Sequence, residues 1–286
     1  MEKKIILFPG QGSLKCEILK EKYRESSIMK NTLEEISELS KRDLSAELMC
    51  DREQDITAKS YLIFAVSLST FREYVEPMEL QNAIFAGHSL GEITALTCAG
   101  ALDVKDAVRL VKKRIDLASE IEDAGMYVVS NLDREVTSRI CGDLRYEGNE
   151  IWISCDNTGT QTCIAGNLGC LETAAELFKK LGANVRKLES NLPYHCGMLS
   201  GQSVQLKIFV ESLHIRPLKH IVLSNVFGTP YESERMIAEN LALQLTETVR
   251  WRAIAEYLAL QSFDEIYEMA FSDILTKMLS RTACSF

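Results

Sequence analysis

The segment Gly87-His88-Ser89-Leu90-Gly91 has the residue types and spacing of a serine nucleophile. The apolar run Ala83 to Ala86 before it predicts a buried strand, and Glu92 to Ala99 after it predicts a buried helix. In such a turn the glycines remove Cβ atoms, so the serine can adopt a strained conformation with its hydroxyl exposed. The Leu90 N–H, at the start of the helix, would point at a developing oxyanion. An ordinary glycine-rich turn is the alternative interpretation.

A serine nucleophile needs a base because its hydroxyl is a poor nucleophile at neutral pH. The sequence offers four histidines. His88 adjoins the serine, and adjacent side chains on such a turn usually point apart. His214 and His220 lie on either side of a proline and are expected at the surface. His195 lies where the chain returns to its main body, so it is the favoured base, with a purely structural histidine as the alternative.

A second glycine-rich loop, Phe8-Pro9-Gly10-Gln11-Gly12, could complete the site. It ends the apolar run Ile5 to Phe8, which predicts a buried parallel strand. A neighbouring loop of this kind can supply a second oxyanion donor, here most naturally the N–H of Gln11. The alternative is an ordinary strand-to-helix turn.

Composition limits the classes of protein to consider. The 286 residues are 46% hydrophobic and 26% charged, as in an ordinary globular protein. A net charge of -9 argues against nucleic-acid binding, which usually requires a basic surface. The apolar run near the start is too short for a signal peptide or a membrane span.

The nine cysteines are scattered and form no C-x-x-C pair or zinc-ligand spacing. This pattern favours a reducing compartment, so we expect a cytoplasmic protein. Nothing in the sequence suggests a metal or an organic cofactor, and nothing suggests a membrane or nucleic-acid partner.

The elements that must position these residues form an α/β pattern. Helices are predicted over about 17–41, 43–48, 57–71 and 104–122. Residues 125–190 then read as strand, helix, strand, strand, helix, strand, the order of a ferredoxin-like unit. We therefore expect a small inserted domain over 125–190 and a larger catalytic domain over 1–124 and 191–286. After the insert, a helix near 198–213, a strand over Ile221 to Asn225 and two final helical stretches are predicted.

Seven short motifs along the chain resemble one family, the malonyl-CoA:acyl carrier protein transacylases and the acyltransferase domains of polyketide synthases. The resemblance covers nearly the full length, in the family's order. In chain order the motifs are Phe8-Pro9-Gly10-Gln11-Gly12-Ser13, Gly87-His88-Ser89-Leu90-Gly91-Glu92, Cys98-Ala99-Gly100-Ala101-Leu102, Asp106-Ala107-Val108-Arg109-Leu110-Val111, Ile164-Ala165-Gly166, Pro193-Tyr194-His195-Cys196 and Thr248-Val249-Arg250-Trp251.

The resemblance implies a large α/β-hydrolase-like domain with a mostly parallel central sheet, a small ferredoxin-like insert, and an active site between them. It also implies a ping-pong reaction, in which an acyl-CoA acylates the serine and an acyl carrier protein then takes the acyl group. Ser89 matches the family nucleophile and His195 its base. Gln244 matches the residue whose backbone carbonyl orients the histidine, and Gln11 and Leu90 match the two oxyanion donors.

Arg114 matches the arginine that pairs with the free carboxylate of a malonyl group. A planar guanidinium can bind a carboxylate through two hydrogen bonds, which would select a diacid thioester over an ordinary acyl group. Without the resemblance, Arg114 reads as a solvated charge on a helix face.

The sequence departs from the family pattern at four places, Leu14, Ile115, Tyr194 and Ala270-Phe271-Ser272. Tyr194 and Ile115 are expected to reshape the acyl pocket, so methylmalonyl and other acyl groups stay open beside malonyl. The departures lean slightly towards a freestanding polyketide acyltransferase rather than a fatty acid enzyme. Two other functions stay open, an acyl hydrolase that clears carrier proteins and an inactive scaffold that docks them.

An acidic carrier protein would need a basic surface on this acidic chain. Four basic residues of the insert are the candidates, although an ordinary solvated surface is the alternative. They are Lys179, Lys180, Arg186 and Lys187.

Overall fold

A computed structural model describes residues 3–12, 16–50, 54–189 and 192–283. Among these residues, one sheet has four parallel strands in the order β7-β2-β1-β8. These are β1 (Lys4–Phe8), β2 (Ile84–Gly87), β7 (Ile221–Leu223) and β8 (Glu265–Glu268). All residues of the two central strands, β1 and β2, are buried, as expected for a parallel sheet covered on both faces.

Six helices separate the strands of the first half of the chain. They are α1 (Cys16–Glu25), α2 (Ser27–Ser40), α3 (Leu44–Met49), α4 (Ile56–Thr70), α5 (Leu90–Cys98) and α6 (Val104–Ala118), and a π-helical turn over Phe71–Val75 extends α4. Helices α4 and α5 are buried over nearly all of their length, so they form the centre of the domain. Helix α6 is amphipathic, with one buried face and one charged face.

The insert forms a second sheet with the predicted βαββαβ order. Its elements are β3 (Ala124–Ser130), α7 (Arg134–Tyr146), β4 (Ile151–Thr158), β5 (Gln161–Asn167), α8 (Leu168–Lys180) and β6 (Asn184–Lys187). The strands pair antiparallel in the order β4-β5-β3-β6, the ferredoxin-like arrangement. Helices α7 and α8 share a small core with one face of the sheet. On the other face, Met126, Cys155 and Cys163 pack in the same hydrophobic core as the parallel sheet.

The predicted limits of the two domains stay a prediction, since residues 190 and 191 lie outside the described residues. The six elements of the insert run from Ala124 to Lys187, within one residue of the predicted start.

The C-terminal part contains more elements than the sequence predicted. A 3-10 turn over Gly197–Leu199 leads into α9 (Ser200–Glu211), and α10 (Glu234–Leu243), α11 (Trp251–Ala259) and α12 (Ile274–Ala283) follow β7. The prediction of two final helical stretches was wrong, because there are three helices and the edge strand β8. Strand β8 has only four residues, with a glutamate at each end and only partial burial, so it lacks the apolar run that marks a buried strand.

Among the described residues, no helix combines the length and the apolar character needed to cross a membrane.

Candidate active site

Ser89 lies on a tight turn between β2 and α5. Its backbone adopts φ 54° and ψ -112°, a strained conformation for a residue that is not glycine. The two glycines of the motif make the turn possible. A Cβ on Gly87 would lie 2.1 Å from the backbone of Gly91, and a Cβ on Gly91 would lie 1.9 Å from the carbonyl oxygen of Phe8. The predicted nucleophile turn is therefore present, packed against the end of β1.

The Ser89 hydroxyl and the His195 ring lie within hydrogen-bonding distance. The distance from Ser89 Oγ to His195 Nε2 is 2.7 Å, and that from His195 Nδ1 to the backbone oxygen of Gln244 is 2.6 Å. A carbonyl oxygen can only accept, so Nδ1 carries the proton and Nε2 is free to accept the hydroxyl proton. The structure thus brings together the three groups that the sequence predicted as nucleophile, base and orienting carbonyl.

His195 is held in its neutral form. Its side chain is only 1% exposed. Burial, and then the charge of Arg114, lower the pKa of His195 to about 3, although the hydrogen bond to Gln244 opposes this shift. A neutral imidazole near pH 7 is the form that can act as a base.

The predicted oxyanion donors lie at the ends of adjacent strands. Phe8 of β1 pairs with Gly87 of β2, and the His88 N–H donates to the Phe8 carbonyl over 3.0 Å, which joins the two loops. The Leu90 N–H, in the first turn of α5, has no hydrogen-bond acceptor among the described residues. Gln11 is exposed, and its side-chain amide donates to Ser60 Oγ over 3.2 Å. Ser13 and Leu14 lie outside the described residues, and the donor roles stay predictions.

Arg114 is buried, contrary to the solvated position that its local sequence suggests. Its side chain is 4% exposed, its guanidinium carbon lies 5.5 Å from the centre of the Tyr194 ring, and it forms no hydrogen bond or ion pair with any described residue. Burial lowers the pKa of Arg114, while the nearby Tyr194 and Glu92 raise it. A buried cation without a hydrogen-bond or ion-pair partner is costly, so the position suits an anionic group brought by a ligand.

The two predicted pocket residues differ in their surroundings. Tyr194 packs between Arg114 and His195, with its ring centre 6.0 Å from that of the histidine. Ile115 is buried in the main core, but no ring contact or hydrogen bond of the described residues joins it to Ser89 or His195. Its role in the acyl pocket stays a prediction.

Asn225 is a part of the site that the sequence analysis missed. Its Oδ1 accepts the Ser89 N–H over 2.7 Å, and its Nδ2 donates to the Gly87 carbonyl over 2.6 Å. The side chain therefore fixes the backbone on both sides of the nucleophile turn. A polar residue at the carboxyl end of a predicted parallel strand was the available signal, because such strand ends meet at the site edge of the sheet.

Comparisons with known proteins agree with this geometry. The family model described as "Acyl transferase domain" matches residues 7–284. This chain belongs to the acyl transferase domain family. The resemblance inferred from the motifs is thereby confirmed.

Several relatives in the acyl transferase domain family are matched over most of their own length. The chain is 30% identical over 290 residues to the malonyl CoA-acyl carrier protein transacylase of Haemophilus influenzae, covering 98% of this chain and 92% of that protein. It is 27% identical over 277 residues to the polyketide biosynthesis malonyl CoA-acyl carrier protein transacylase of Bacillus subtilis, covering 96% and 95%. A solved complex of a type II PKS acyl-carrier protein with its malonyl-transacylase has a TM-score of 0.91 and 28% identity, covering 99% of this chain and 94% of that one. The α/β fold with a parallel and an antiparallel sheet is confirmed.

The other histidines of this acyl transferase do not contact the Ser89 hydroxyl. His88 points away, and its Nε2 lies 2.9 Å from Asn157 Oδ1. His214 is exposed, as predicted. The surface position predicted for His220 was wrong, because its ring is half-buried and stacks on Phe85 with ring centres 4.9 Å apart.

The four basic residues predicted as a docking surface, Lys179, Lys180, Arg186 and Lys187, are all exposed. Lys179 forms a 2.9 Å ion pair with Glu176, whereas Lys180, Arg186 and Lys187 form no ion pair among the described residues. In the part of the chain that the structure describes, no three histidine, cysteine or acidic side chains come close enough together to hold a metal ion.

Proposed function

We propose that this chain transfers a malonyl group from malonyl-CoA to the phosphopantetheine thiol of an acyl carrier protein, through a malonyl ester on Ser89. The observation that carries the proposal is the 2.7 Å hydrogen bond between Ser89 Oγ and His195 Nε2 in a chain of the acyl transferase domain family. The unpartnered, buried Arg114 favours a diacid thioester, and the malonyl-transacylase names of the relatives agree with that choice.

In the first half-reaction the Ser89 oxygen attacks the thioester carbon while His195 Nε2 takes the hydroxyl proton. The negative charge moves to the thioester oxygen, where the N–H groups of Gln11 and Leu90 would stabilise it. The carbon–sulfur bond then breaks, and the leaving sulfur takes the proton from His195, which releases CoA as a thiol. Arg114 would bind the malonyl carboxylate throughout.

The second half-reaction runs through the same groups in reverse. His195 takes the proton of the phosphopantetheine thiol, and the sulfur attacks the ester carbon of malonyl-Ser89. The tetrahedral intermediate then collapses, and the Ser89 oxygen leaves with the proton from His195. Atoms and charges balance without a metal or an organic cofactor.

The carrier protein would dock on the exposed basic residues of the insert, which would give an acidic partner an attractive surface. The pathway would be fatty acid or polyketide assembly. We place the enzyme in the cytoplasm, since the seven cysteines whose side chains are described are all free thiols.

The test is a transfer assay with purified chain, malonyl-CoA and a holo acyl carrier protein, followed by mass spectrometry of the carrier protein. Malonyl-carrier protein that forms with wild type and not with Ser89→Ala is the expected result. Release of free malonate in place of transfer would replace the proposal with an acyl hydrolase. A carrier protein that binds without being acylated would replace it with a docking scaffold.

A further inference from the structure

Glu92, three residues after the nucleophile, is a buried carboxyl group with no role in the steps above. It lies in α5, one turn from Ser89, and none of its surface is exposed. An unpaired buried carboxyl is costly, so its hydrogen-bond partners show what it holds.

Among the described residues, the Glu92 carboxyl group contacts only hydrogen-bond donors. Its Oε1 accepts the Asn225 N–H and the Tyr231 hydroxyl, each over 2.7 Å, and its Oε2 accepts the side-chain amide of Gln244. Three donors and no acceptor suit the ionised carboxylate. Burial raises the pKa of Glu92 to about 7, while these donors and Arg114 oppose the shift.

The amide of Gln244 has one orientation that satisfies its neighbours. Its Nε2 donates to Glu92 Oε2 and also to the Ser89 carbonyl over 3.2 Å. A flipped amide would place its oxygen against both acceptors. The same residue presents its backbone carbonyl to His195 Nδ1 over 2.6 Å. Whatever fixes the Gln244 side chain therefore also fixes the partner of the base.

Glu92 reaches the nucleophile by a second route. The Asn225 backbone that it binds carries the side chain that contacts Gly87 and the Ser89 N–H. One carboxylate thus joins the end of β7, the end of α10 and the start of α5. These segments carry the side chain that contacts the Ser89 turn, the carbonyl that binds His195 Nδ1, and the helix that follows Ser89.

We propose that Glu92 is a positioning residue of the acyl transfer site, acting on the base through Gln244 and on the nucleophile through Asn225. The role rests on the proposed function for its place in catalysis. Of the residues that the structure describes, His195 contacts a backbone carbonyl and no carboxylate. Glu92 supplies a carboxylate that acts on the imidazole indirectly, with Gln244 between the two.

The test is a double-mutant cycle with Glu92→Gln and Gln244→Met. In Glu92→Gln, the new NH2 group must face one side of the former carboxyl site, where it meets donors and cannot accept their hydrogen bonds. If the NH2 group faces Gln244, one hydrogen bond is lost. If it faces Asn225 and Tyr231, two are lost, so the first orientation is expected. Gln244→Met removes the same bond from the other side, together with the longer bond from the Gln244 amide to the Ser89 carbonyl, and leaves the backbone carbonyl of residue 244 in place. Both variants are assayed at a pH above the pKa of Glu92.

Two rates are measured, malonylation of Ser89 by malonyl-CoA and labelling of Ser89 by a fluorophosphonate probe. The probe reports the serine–histidine pair without any malonyl recognition. If wild type reacts with the probe but not with malonyl-CoA, the proposed function fails while the role of Glu92 is still measured.

Each single variant should lower the labelling rate and the malonylation kcat about 10- to 100-fold, the effect of a small misplacement of reacting groups. KM for malonyl-CoA should stay within about threefold, since neither side chain is placed against the substrate. The double variant should be no slower than the slower single variant, which is Gln244→Met if its lost bond to Ser89 matters, because both substitutions remove the bond between Glu92 and Gln244.

Ile36→Val, in the core of α2, is the control for general destabilisation, and it should lower the unfolding temperature with both rates unchanged. The proposal would be overturned if the rate losses of the two single variants multiplied in the double variant. It would also be overturned if KM for malonyl-CoA rose while kcat stayed constant. If Glu92→Gln does not fold, Gln244→Met alone decides, and wild-type labelling by that variant would also overturn it.

Discussion

Replacing Arg114 with methionine should weaken malonyl transfer and stabilise the free protein at the same time. The guanidinium is 4% exposed and has no hydrogen-bond or ion-pair partner among the described residues. Methionine fills much of the same volume without a charge, so folding no longer has to desolvate a cation. Replacing buried ionic groups by apolar residues of similar volume is often neutral or stabilises a protein by about 1–4 kcal/mol. The lost attraction between Arg114 and Glu92 places the expected gain at the lower end of that range.

The loss in transfer follows from the malonyl carboxylate. With methionine at position 114, that carboxylate would enter a buried site without its partner. Leaving one member of a buried ion pair unpaired costs about 3–5 kcal/mol. At about 1.4 kcal/mol for each factor of ten, kcat/KM for malonyl-CoA should fall roughly 140- to 4000-fold. Acetyl-CoA has no free carboxylate, so its rate should not fall.

The assay is acylation of the enzyme by each thioester, together with unfolding in urea. Lys105→Met, an exposed change on the same helix, is the control and should alter neither quantity. An unchanged ratio of malonyl-CoA to acetyl-CoA rates would refute the carboxylate role of Arg114. A large fall in the free energy of unfolding would refute the statement that the cation lacks a partner in the free protein.

Three further predictions concern His195 and the nucleophile turn. The pKa of His195 is about 3 in the folded protein against an ordinary 6.5, so below pH 6.5 the unfolded chain binds the proton that the folded one does not. The stability that the neutral imidazole contributes above pH 6.5 is therefore lost as the pH falls. In urea unfolding, the free energy of unfolding of wild type should fall by roughly 2 kcal/mol more than that of His195→Gln when the pH is lowered from above 6.5 to 5. No change in that difference would contradict the buried, neutral imidazole. Gly91→Ala places a Cβ 1.9 Å from a backbone oxygen of β1 and should abolish fluorophosphonate labelling, whereas Gly142→Ala, with open space around it, should label normally and gain up to about 1 kcal/mol. Equal labelling of the two variants would be inconsistent with the packed turn. Asn225→Asp places a carboxylate oxygen against the Gly87 carbonyl, which Asn225 Nδ2 contacts over 2.6 Å, and should lower the free energy of unfolding in urea by about 2 kcal/mol. An unchanged free energy of unfolding would contradict this contact.

The sequence indicated the parts of the site that depend on neighbouring residues. The apolar run before Gly87 and the buried run after Leu90 are local patterns, and together they predicted the turn that holds Ser89. The alternation of strands and helices between 125 and 190 predicted the second sheet in the same way. His195 and Arg114 were harder, because only the family resemblance distinguished them from a structural histidine and a surface arginine.

The contacts of Glu92 and Asn225 were beyond sequence reasoning. They join residues more than 130 positions apart, and the same types of residue occur throughout the chain without such partners. Strand β8 was not predicted because it is a four-residue edge strand with one exposed and three partly buried residues, which show no clear alternation of apolar and polar side chains. The stacking of His220 on Phe85 was missed for a related reason, since burial of a loop residue depends on what packs over it.

The most direct test of the acyl-serine mechanism is mass spectrometry of the purified protein after incubation with malonyl-CoA, methylmalonyl-CoA and acetyl-CoA in turn. The mechanism predicts one malonyl group on the peptide that contains Ser89, little acetyl group at the same concentration, and no adduct on Ser89→Ala. A malonyl adduct that persists in Ser89→Ala, or one that maps to another residue, would contradict it.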